Sequence, residues 1–581
     1  MANSAEQETQ HALLVVLGQF AREIGLISGI EGVKLDQKTY EHSPQTKVLE
    51  FLVAILSGAK YLQEISLAAH PLDKDLVLAR AWGQICWADY SGVSRTLSGL
   101  SWAEVRALVA VLEQVGQPFI NRELKLLRSL GQTVRVDGDL TGIPVSNTSR
   151  TYPNAAYGHM DDEIRLGYQA GMTSLHSPTY GRLWLSVEHH AGDTVSCTQA
   201  ETMVLAAEKR TGLRPRRRTE LLQARLEAFR KERQPSEKRL ESQKVALEKA
   251  YSAKQETLAQ LQEAQLTPVT KPERIHSLER RCVRRAQAIT AAQKRLEKTL
   301  HLLQEHDEQE KVLQTRLHRF EQENADNPDP IEIRFRMDAG FGTYANIALL
   351  IEMGYELYTK LHNHKVVQAL QKLVQPETTW TRVGKNAEMV AWPTLKLEHC
   401  PYPLHVGLER FHTGDKKLKH SALAYYGNVP ATEDLPAWFG TYNGRQTIEA
   451  GIKETKQVFF LHRLKVRSEP AIYLQEAMTI FAANFIRCAT VWIEQNTELN
   501  ENQFQVRSIC ICDIPTQGAI ICPGNKSTIL NSQVTIRRDI ASVCEAPCIT
   551  GNQWGSRCCI LVVHHHCRIR SYNHRGVFCR S

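Results

Sequence analysis

The sequence predicts an α/β protein in which a mixed sheet follows a helical domain and is interrupted by a long helical hairpin. Three observations carry this prediction. Apolar residues recur at spacings of three and four through residues 10–130. Segments of strand character ending in acids occur at Val134-Arg135-Val136-Asp137-Gly138-Asp139-Leu140-Thr141 and at Ile331-Glu332-Ile333-Arg334-Phe335-Arg336-Met337-Asp338. Between these two lies a stretch rich in Glu, Lys, Gln, Arg and Leu with a seven-residue apolar repeat.

A chain of 581 residues at 42% hydrophobic content can bury a large core and is expected to hold several domains. No window approaches the run of about 18 apolar residues that a membrane span needs, so no membrane partner is expected. The N-terminus lacks the charged-then-apolar layout of a signal peptide, which leads to the expectation of a cytoplasmic protein. A net charge of +8 is compatible with nucleic-acid binding but too mild to argue for it alone.

In the N-terminal region, Val48-Leu49-Leu52-Val53-Leu56 and Val105-Leu108-Val109-Val111-Leu112 mark apolar helix faces. Ser43-Pro44 places proline at a first helical position, and Ser101 has Glu104 three residues on, the pattern of a capping box. The segment from Ala88 to Leu97 has the small, turn-forming texture of a helix-turn-helix. After the strand at 134–141 the chain is turn-rich, through Pro144, Asn147, Pro153 and Asn154, before a second strand candidate at 182–188.

Residues 219–266 and 272–324 are expected to form the two arms of an antiparallel hairpin turning at Pro268-Pro272. Ile275, Cys282, Ile289, Leu296 and Leu303 repeat every seven residues, with Leu278, Ala292, Leu313 and Phe320 as a partial second seam. Each arm could reach about 70 Å at about 1.5 Å per residue, and Pro235 is a point where the first could bend. Its polar outer faces carry no catalytic pattern, so a spacer or dimerisation arm is expected. A strand-helix-strand unit follows over 331–358, then a strand-favouring stretch over 376–440, and helices over 442–456 and 472–492.

Cysteine is unevenly spread: nine of fourteen lie between Cys510 and Cys579. The spacing of Cys544, Cys548, Cys558, Cys559 and Cys567 beside His564–His566 matches no standard zinc site. Hydrophobic periodicity fades from about Ser508, a texture that suits translation in a shifted reading frame or a poorly folded tail.

The chemistry is carried by acids. On one helix at about 100° per residue, Tyr442, Arg445, Glu449 and Lys456 fall within roughly 60° of one another. Alone, this face reads equally as a solvated Arg-Glu pair or as a phosphate site. A single strand-end Asp is more often a turn former than a ligand. Jointly, Asp139 (or Asp137), Asp338 and Glu449 offer three carboxylates at a sheet edge, a set suited to hard divalent cations and phosphate chemistry. Asp137 and Asp139 are two apart on a strand and point the same way, so geometry does not separate them.

The chain resembles a DDE transposase of bacterial insertion sequences, in the subgroup with a Tyr-Arg-Glu-Lys signature. Tyr442, Arg445, Glu449 and Lys456 match its four spacings, Asp139 with Thr141 matches the first aspartate's setting, and Asp338 with Gly340-Phe341 matches the second's. The Thr141 spacing favours Asp139 over Asp137. The resemblance covers roughly residues 40–500. It implies a ribonuclease-H-like mixed-sheet core in which Asp139, Asp338 and Glu449 are catalytic and chelate two Mg²⁺ (or Mn²⁺) ions. Tyr442, Arg445 and Lys456 would bind the DNA backbone. The implied partners are transposon-end and target DNA, with a homodimer in a synaptic complex.

The expected domains are a helical, DNA-binding region at 1–130, the first part of the core at 131–205, and the hairpin insertion at 206–327. The core resumes at 328–358, a β-rich insertion occupies 359–440, core helices follow at 441–500, and the irregular tail covers 501–581. Two features depart from the family pattern: the helical insertion between the first two aspartates, and the tail. They keep open an alternative, a non-catalytic DNA-binding or coiled-coil assembly protein or a defective transposase copy.

Overall fold

The computed structural model describes residues 7–38, 41–147, 151–160, 163–268, 271–412, 417–428, 432–496, 518–521 and 528–530. The expected irregular tail, with its cysteines and histidines, lies outside the described residues apart from two short strands.

A short strand β1 (Gln7–Thr9) leads into seven helices: α1 (Ala12–Glu23), α2 (Leu26–Glu31), α3 (Pro44–Leu56), α4 (Glu64–Leu67), α5 (Leu76–Ala81), α6 (Tyr90–Ser98) and α7 (Trp102–Ser129). Their starts follow the expected cap chemistry. The Ser43 side chain accepts from Thr46 N–H with Pro44 at the first helical position. Ser101 and Glu104 form a reciprocal capping box at the head of α7. The segment with helix-turn-helix texture forms α6, capped by Asp89, and a short turn at 99–101 leads on into α7.

One mixed sheet of ten strands organises the chain beyond these helices. The strands are β2 (Val134–Pro144), β3 (Ala156–Met160), β4 (Glu163–Ser177), β5 (Gly181–Ala191), and then, after helix α8 (Ala200–Thr211) and the hairpin of α9 (Thr219–Leu266) and α10 (Pro272–Ala325), β6 (Ile333–Arg336). Helix α11 (Tyr344–Glu352) links β6 to β7 (Glu356–Lys360), and α12 (His364–Leu373) precedes β8 (Thr381–Arg382), β9 (Ala387–Leu395), β10 (Leu404–His412) and β11 (Leu418–Tyr426). Helices α13 (Leu435–Asn443), α14 (Gln446–Gln457) and α15 (Glu469–Asn496) follow, and strands β12 (Gly518–Ile521) and β13 (Thr528–Leu530) form a separate small sheet with β1.

Within the large sheet the order is β3-β4-β2-β6-β7-β11-β10-β9-β8, with β5 on β4 as well. Strands β2, β6 and β7 run parallel, while β4, β5 and β11 pair antiparallel with their neighbours. The β-rich stretch after β7 is therefore a continuation of the same sheet: β11 pairs with β7 from Leu423↔Lys360 to Tyr426↔Leu357.

The N-terminal helices share one apolar core with this sheet. Helix α15 packs on both α7 and β5. Phe20 of α1 meets Phe485 and Trp492 of α15 at ring-centroid distances of 5.1 and 5.4 Å. Burial of each such ring contributes roughly 1.5–3 kcal/mol. Among the described residues, no helix is long and apolar enough to cross a membrane.

Helices α9 and α10 pack along each other, with Leu278, Ile289, Leu303, Leu313 and Phe320 buried along α10, and Pro235 lies within an unbroken α9. The hairpin leaves and rejoins the sheet at one clamped point. The Arg217 N–H donates to Asn324 Oδ1 at 2.7 Å, and Asn324 Nδ2 returns a bond to the Arg217 carbonyl at 3.0 Å. The fully buried Arg217 guanidinium donates to both Glu208 oxygens, to Glu323 and to the Met353 carbonyl at 2.6–2.8 Å. Nearly all its donors are satisfied, which is what lets a buried charge be tolerated.

Candidate active site

The site is built on the two central parallel strands. Strand β2 does not end at its acids but continues to Pro144, so Asp137 and Asp139 are mid-strand residues. Strand β6 stops at Arg336, and Asp338 lies two residues beyond, in extended backbone at the head of a short turn of 3₁₀ helix. The parallel register pairs Asp137 with Arg336. Asp139 and Asp338 each lie two residues beyond that pair, near enough for the Asp338 charge to act on the Asp139 carboxyl.

That register separates the two candidate aspartates. Asp137 is buried and receives two bonds from the Arg336 fork, Nε to Oδ1 at 2.6 Å and Nη2 to Oδ2 at 2.8 Å. Asp139 has no such fixed partner set; its Oδ2 is 3.3 Å from Arg445 Nη1 and its Oδ1 accepts from the Leu140 N–H at 2.9 Å.

The third acid arrives on a broken helix. The expected single helix carrying Tyr442 to Lys456 is two: α13 ends at Asn443, and α14 begins at Gln446. A tight turn joins them, with Gly444 N–H bonded to the Gly440 carbonyl and Arg445 N–H to the Tyr442 carbonyl. Close packing explains Gly444, since a Cβ there would lie 2.6 Å from Arg336 Nη1. That same Nη1 donates to the Thr441 carbonyl at 2.7 Å, so Arg336 ties the joint to the sheet. Glu449 then falls in the first turn of α14, where the helix dipole favours a carboxylate.

Arg445 lies between the acids. Its guanidinium contacts Asp139 through Nη1 and Glu449 through Nη2. Asp338, Lys360, Tyr442, Arg445, Gln446 and Glu449 line a cleft of about 290 Å³. Glu449 is half-exposed, whereas Asp139 and Arg445 are largely buried. Lys360, at the end of β7, bonds Glu409 at 3.1 Å and lies 5.7 Å from the Tyr442 ring centroid.

The electrostatics are those of crowded acids in a poorly solvated place. Burial, reinforced by the Asp338 charge, pushes the Asp139 carboxyl up to about 7 against the pull of Arg445. Burial likewise raises the Tyr442 hydroxyl to about 12, so it remains a neutral donor at ordinary pH. Burial opposes the charge on Arg445, but Tyr442, Asp139, Glu449 and Asp338 together hold it firmly protonated.

Among the described residues, no three His, Cys, Asp or Glu side chains stand as a preassembled ligand group, and the Arg445 guanidinium occupies the space between Asp139 and Glu449. The donor set nevertheless suits a hard divalent cation. It is all carboxylate oxygen, and the buried Asp338 Oδ1 has no hydrogen-bond partner. A cation there would satisfy that orphaned oxygen and relieve the repulsion that raises Asp139.

Of the expected site residues, Asp139, Asp338, Tyr442, Arg445 and Glu449 come together. Lys456 lies two helical turns beyond Glu449 on α14 and is not part of the cleft lining. Sequence reasoning missed Lys360 and Arg336. Arg336 was detectable in principle as the residue two before Asp338, matching Asp137 two before Asp139; Lys360 carries no comparable signal. No protein-family model and no curated protein matches the chain.

Proposed function

We propose that this protein is a metal-dependent DNA transposase of the DDE kind, cutting at transposon ends and joining them to target DNA as a homodimer in a synaptic complex. The observation that carries the reading is the convergence of Asp139, Asp338 and Glu449. Asp139 lies on β2, Asp338 lies two residues past the end of the adjacent parallel strand β6, and Glu449 is joined to Asp139 through Arg445. The strand series β5-β4-β2-β6-β7, antiparallel and then parallel, agrees with a ribonuclease-H-like core.

In this reading Asp139, Asp338 and Glu449 hold two Mg²⁺ or Mn²⁺ ions, which when bound polarise a phosphodiester and lower the pKa of water. Arg445 has a planar fork that can grip phosphate bidentately, Tyr442 offers a neutral hydroxyl donor, and Lys456 adds a point charge farther along α14. Water attacks the phosphodiester at the element's end and frees a 3′-hydroxyl. That hydroxyl then attacks a target phosphodiester, forming the new bond as the target strand breaks. The site's half-exposed side, at Glu449, is where a DNA strand can approach.

The test is Glu449→Gln in the full chain, with duplex DNA taken from the sequence on either side of the gene. Mg²⁺-dependent cleavage should be abolished while binding of the ends stays measurable. Unchanged cleavage removes Glu449 from the site and the reading with it.

A further inference from the structure

The hairpin of α9 and α10 divides into two halves of different electrostatic character. In the basal half, residues 219–237 and 301–325, seven Lys and Arg face ten Asp and Glu. Every arginine there is paired: Arg225 and Arg316 with Glu352, Arg230 with Glu310, Arg233 with Asp307, and Arg319 with Glu201. In the distal half, residues 238–300, fourteen Lys and Arg stand against seven Glu. Among the described residues, none of the seven distal arginines has a carboxylate partner within ion-pair distance; the distal pairs are Lys244–Glu241 and His276–Glu279.

These cations are ordered. At about 100° per residue, Arg274, Arg280, Arg281, Arg284, Arg295 and Lys298 fall on one side of α10, next to the seam with α9. All six are exposed, and Ser277, Ala288 and Ala291 lie among them in place of large apolar residues. Glu279 and Glu297 lie on the opposite side; Glu273, in the first turn, is the single acid on the cationic side. The stripe runs roughly 36 Å, close to one turn of duplex DNA at about 34–36 Å. The lack of apolar anchors argues against insertion into a membrane surface.

We propose that the distal half of the hairpin is a second nucleic-acid-binding surface that grips the phosphate backbone of duplex DNA away from the cleft. A row of exposed, unneutralised guanidinium groups on a rigid helix is complementary to an anionic backbone, and it carries no base-reading pattern. The choice of DNA as the polymer rests on the proposed transposase function; the charge complementarity does not.

The experiment measures binding of an arbitrary duplex of about 30 base pairs by the full chain, without divalent metal, across a salt series. The variant Arg280→Gln, Arg281→Gln, Arg284→Gln, Arg295→Gln should lose on the order of 10- to 100-fold in affinity, and its salt slope should shrink by roughly 3–4. The variant Glu279→Gln, Glu297→Gln, on the opposite side, should bind at least as well as the parent. If the fourfold variant does not fold, Arg281→Gln with Arg284→Gln should show about half the slope change. Unchanged affinity and slope, an equal loss in the Glu variant, or tighter binding of duplex RNA of the same length overturns the proposal. Because no divalent metal is present, such a failure leaves the cleavage reading standing. A chain that binds through the arm yet never cuts overturns only that reading.

Discussion

Arg336 closes a two-pronged, buried contact on Asp137 across adjacent parallel strands, and its remaining prong holds the Thr441 carbonyl at the joint between α13 and α14. One guanidinium therefore couples the sheet to the helices that bring Tyr442, Arg445 and Glu449 to the cleft. Removing Asp137 leaves that cation buried and half-partnered. Asp137→Ala should cost about 3–5 kcal/mol, the usual penalty for breaking a buried pair. Chemical denaturation measures it; a loss below about 1 kcal/mol would show that water replaces the carboxylate.

Gly444 is expected to be intolerant of even one carbon. A Cβ there meets Arg336 Nη1 at 2.6 Å, and that nitrogen is not free to retreat because it is bonded to Thr441. Gly444→Ala should destabilise the fold by about 1–3 kcal/mol through displaced packing. Since the joint carries Arg445, the same variant should lower DNA cleavage more than its thermal midpoint alone explains.

Asp139→Asn is expected to act in the opposite sense on stability. The carboxyl is crowded by Asp338 and Glu449 in a buried place, so losing its charge relieves repulsion that Arg445 only partly offsets. In metal-free protein the variant should unfold at the same or a higher temperature than the parent, while metal-dependent cleavage is abolished. A marked drop in the thermal midpoint would show that the contact with Arg445 dominates.

A pH effect should come from the helical domain. Glu50 of α3 is fully buried; one oxygen accepts from the Ala88 N–H and the other has no partner. Burial raises its carboxyl from 4.5 to about 9. The folded state thus keeps a proton that the unfolded chain releases near 4.5. The stability from this group is fully present below pH 4.5 and is lost as pH rises through about 9. Glu50→Gln should remove that decline, so its advantage over the parent grows from about pH 5 to about pH 9, by an amount on the order of a few kcal/mol. Thermal melts across that range test it; a constant difference between the two proteins rejects it.

Local signals carried much of this architecture. Ser43-Pro44, the Ser101–Glu104 box and the Thr267–Lys271 break are short-range chemistry, and each appears where the sequence places it. The three acids were legible because each has a local setting. Strands β3 and β4 were not. Strand β4 is buried on both sides over most of its length, so its residues lack the alternation that marks a half-exposed strand, and turn formers precede it. The fusion of β11 to β7 is a long-range pairing with no local trace. The spacing from Tyr442 to Lys456 suits one continuous helix, and the long-range packing of Arg336 against the joint at Gly444 leaves no trace in that spacing.

The clamp at Arg217 and Asn324 has a consequence for how such a chain can vary. Everything between them leaves and returns through this clamp. Among the described residues, only the base of the hairpin touches the rest of the fold, where Leu222, Leu226, Leu313 and Phe320 join the common core and Arg225, Arg316 and Arg319 pair with Glu352 and Glu201. Adding or deleting matched heptads in α9 and α10 would change the reach of the hairpin by about 10 Å per heptad and leave the seam in phase. The entropic penalty of a longer excursion grows only slowly with its length. Reach and catalytic geometry are thereby free to change independently of one another.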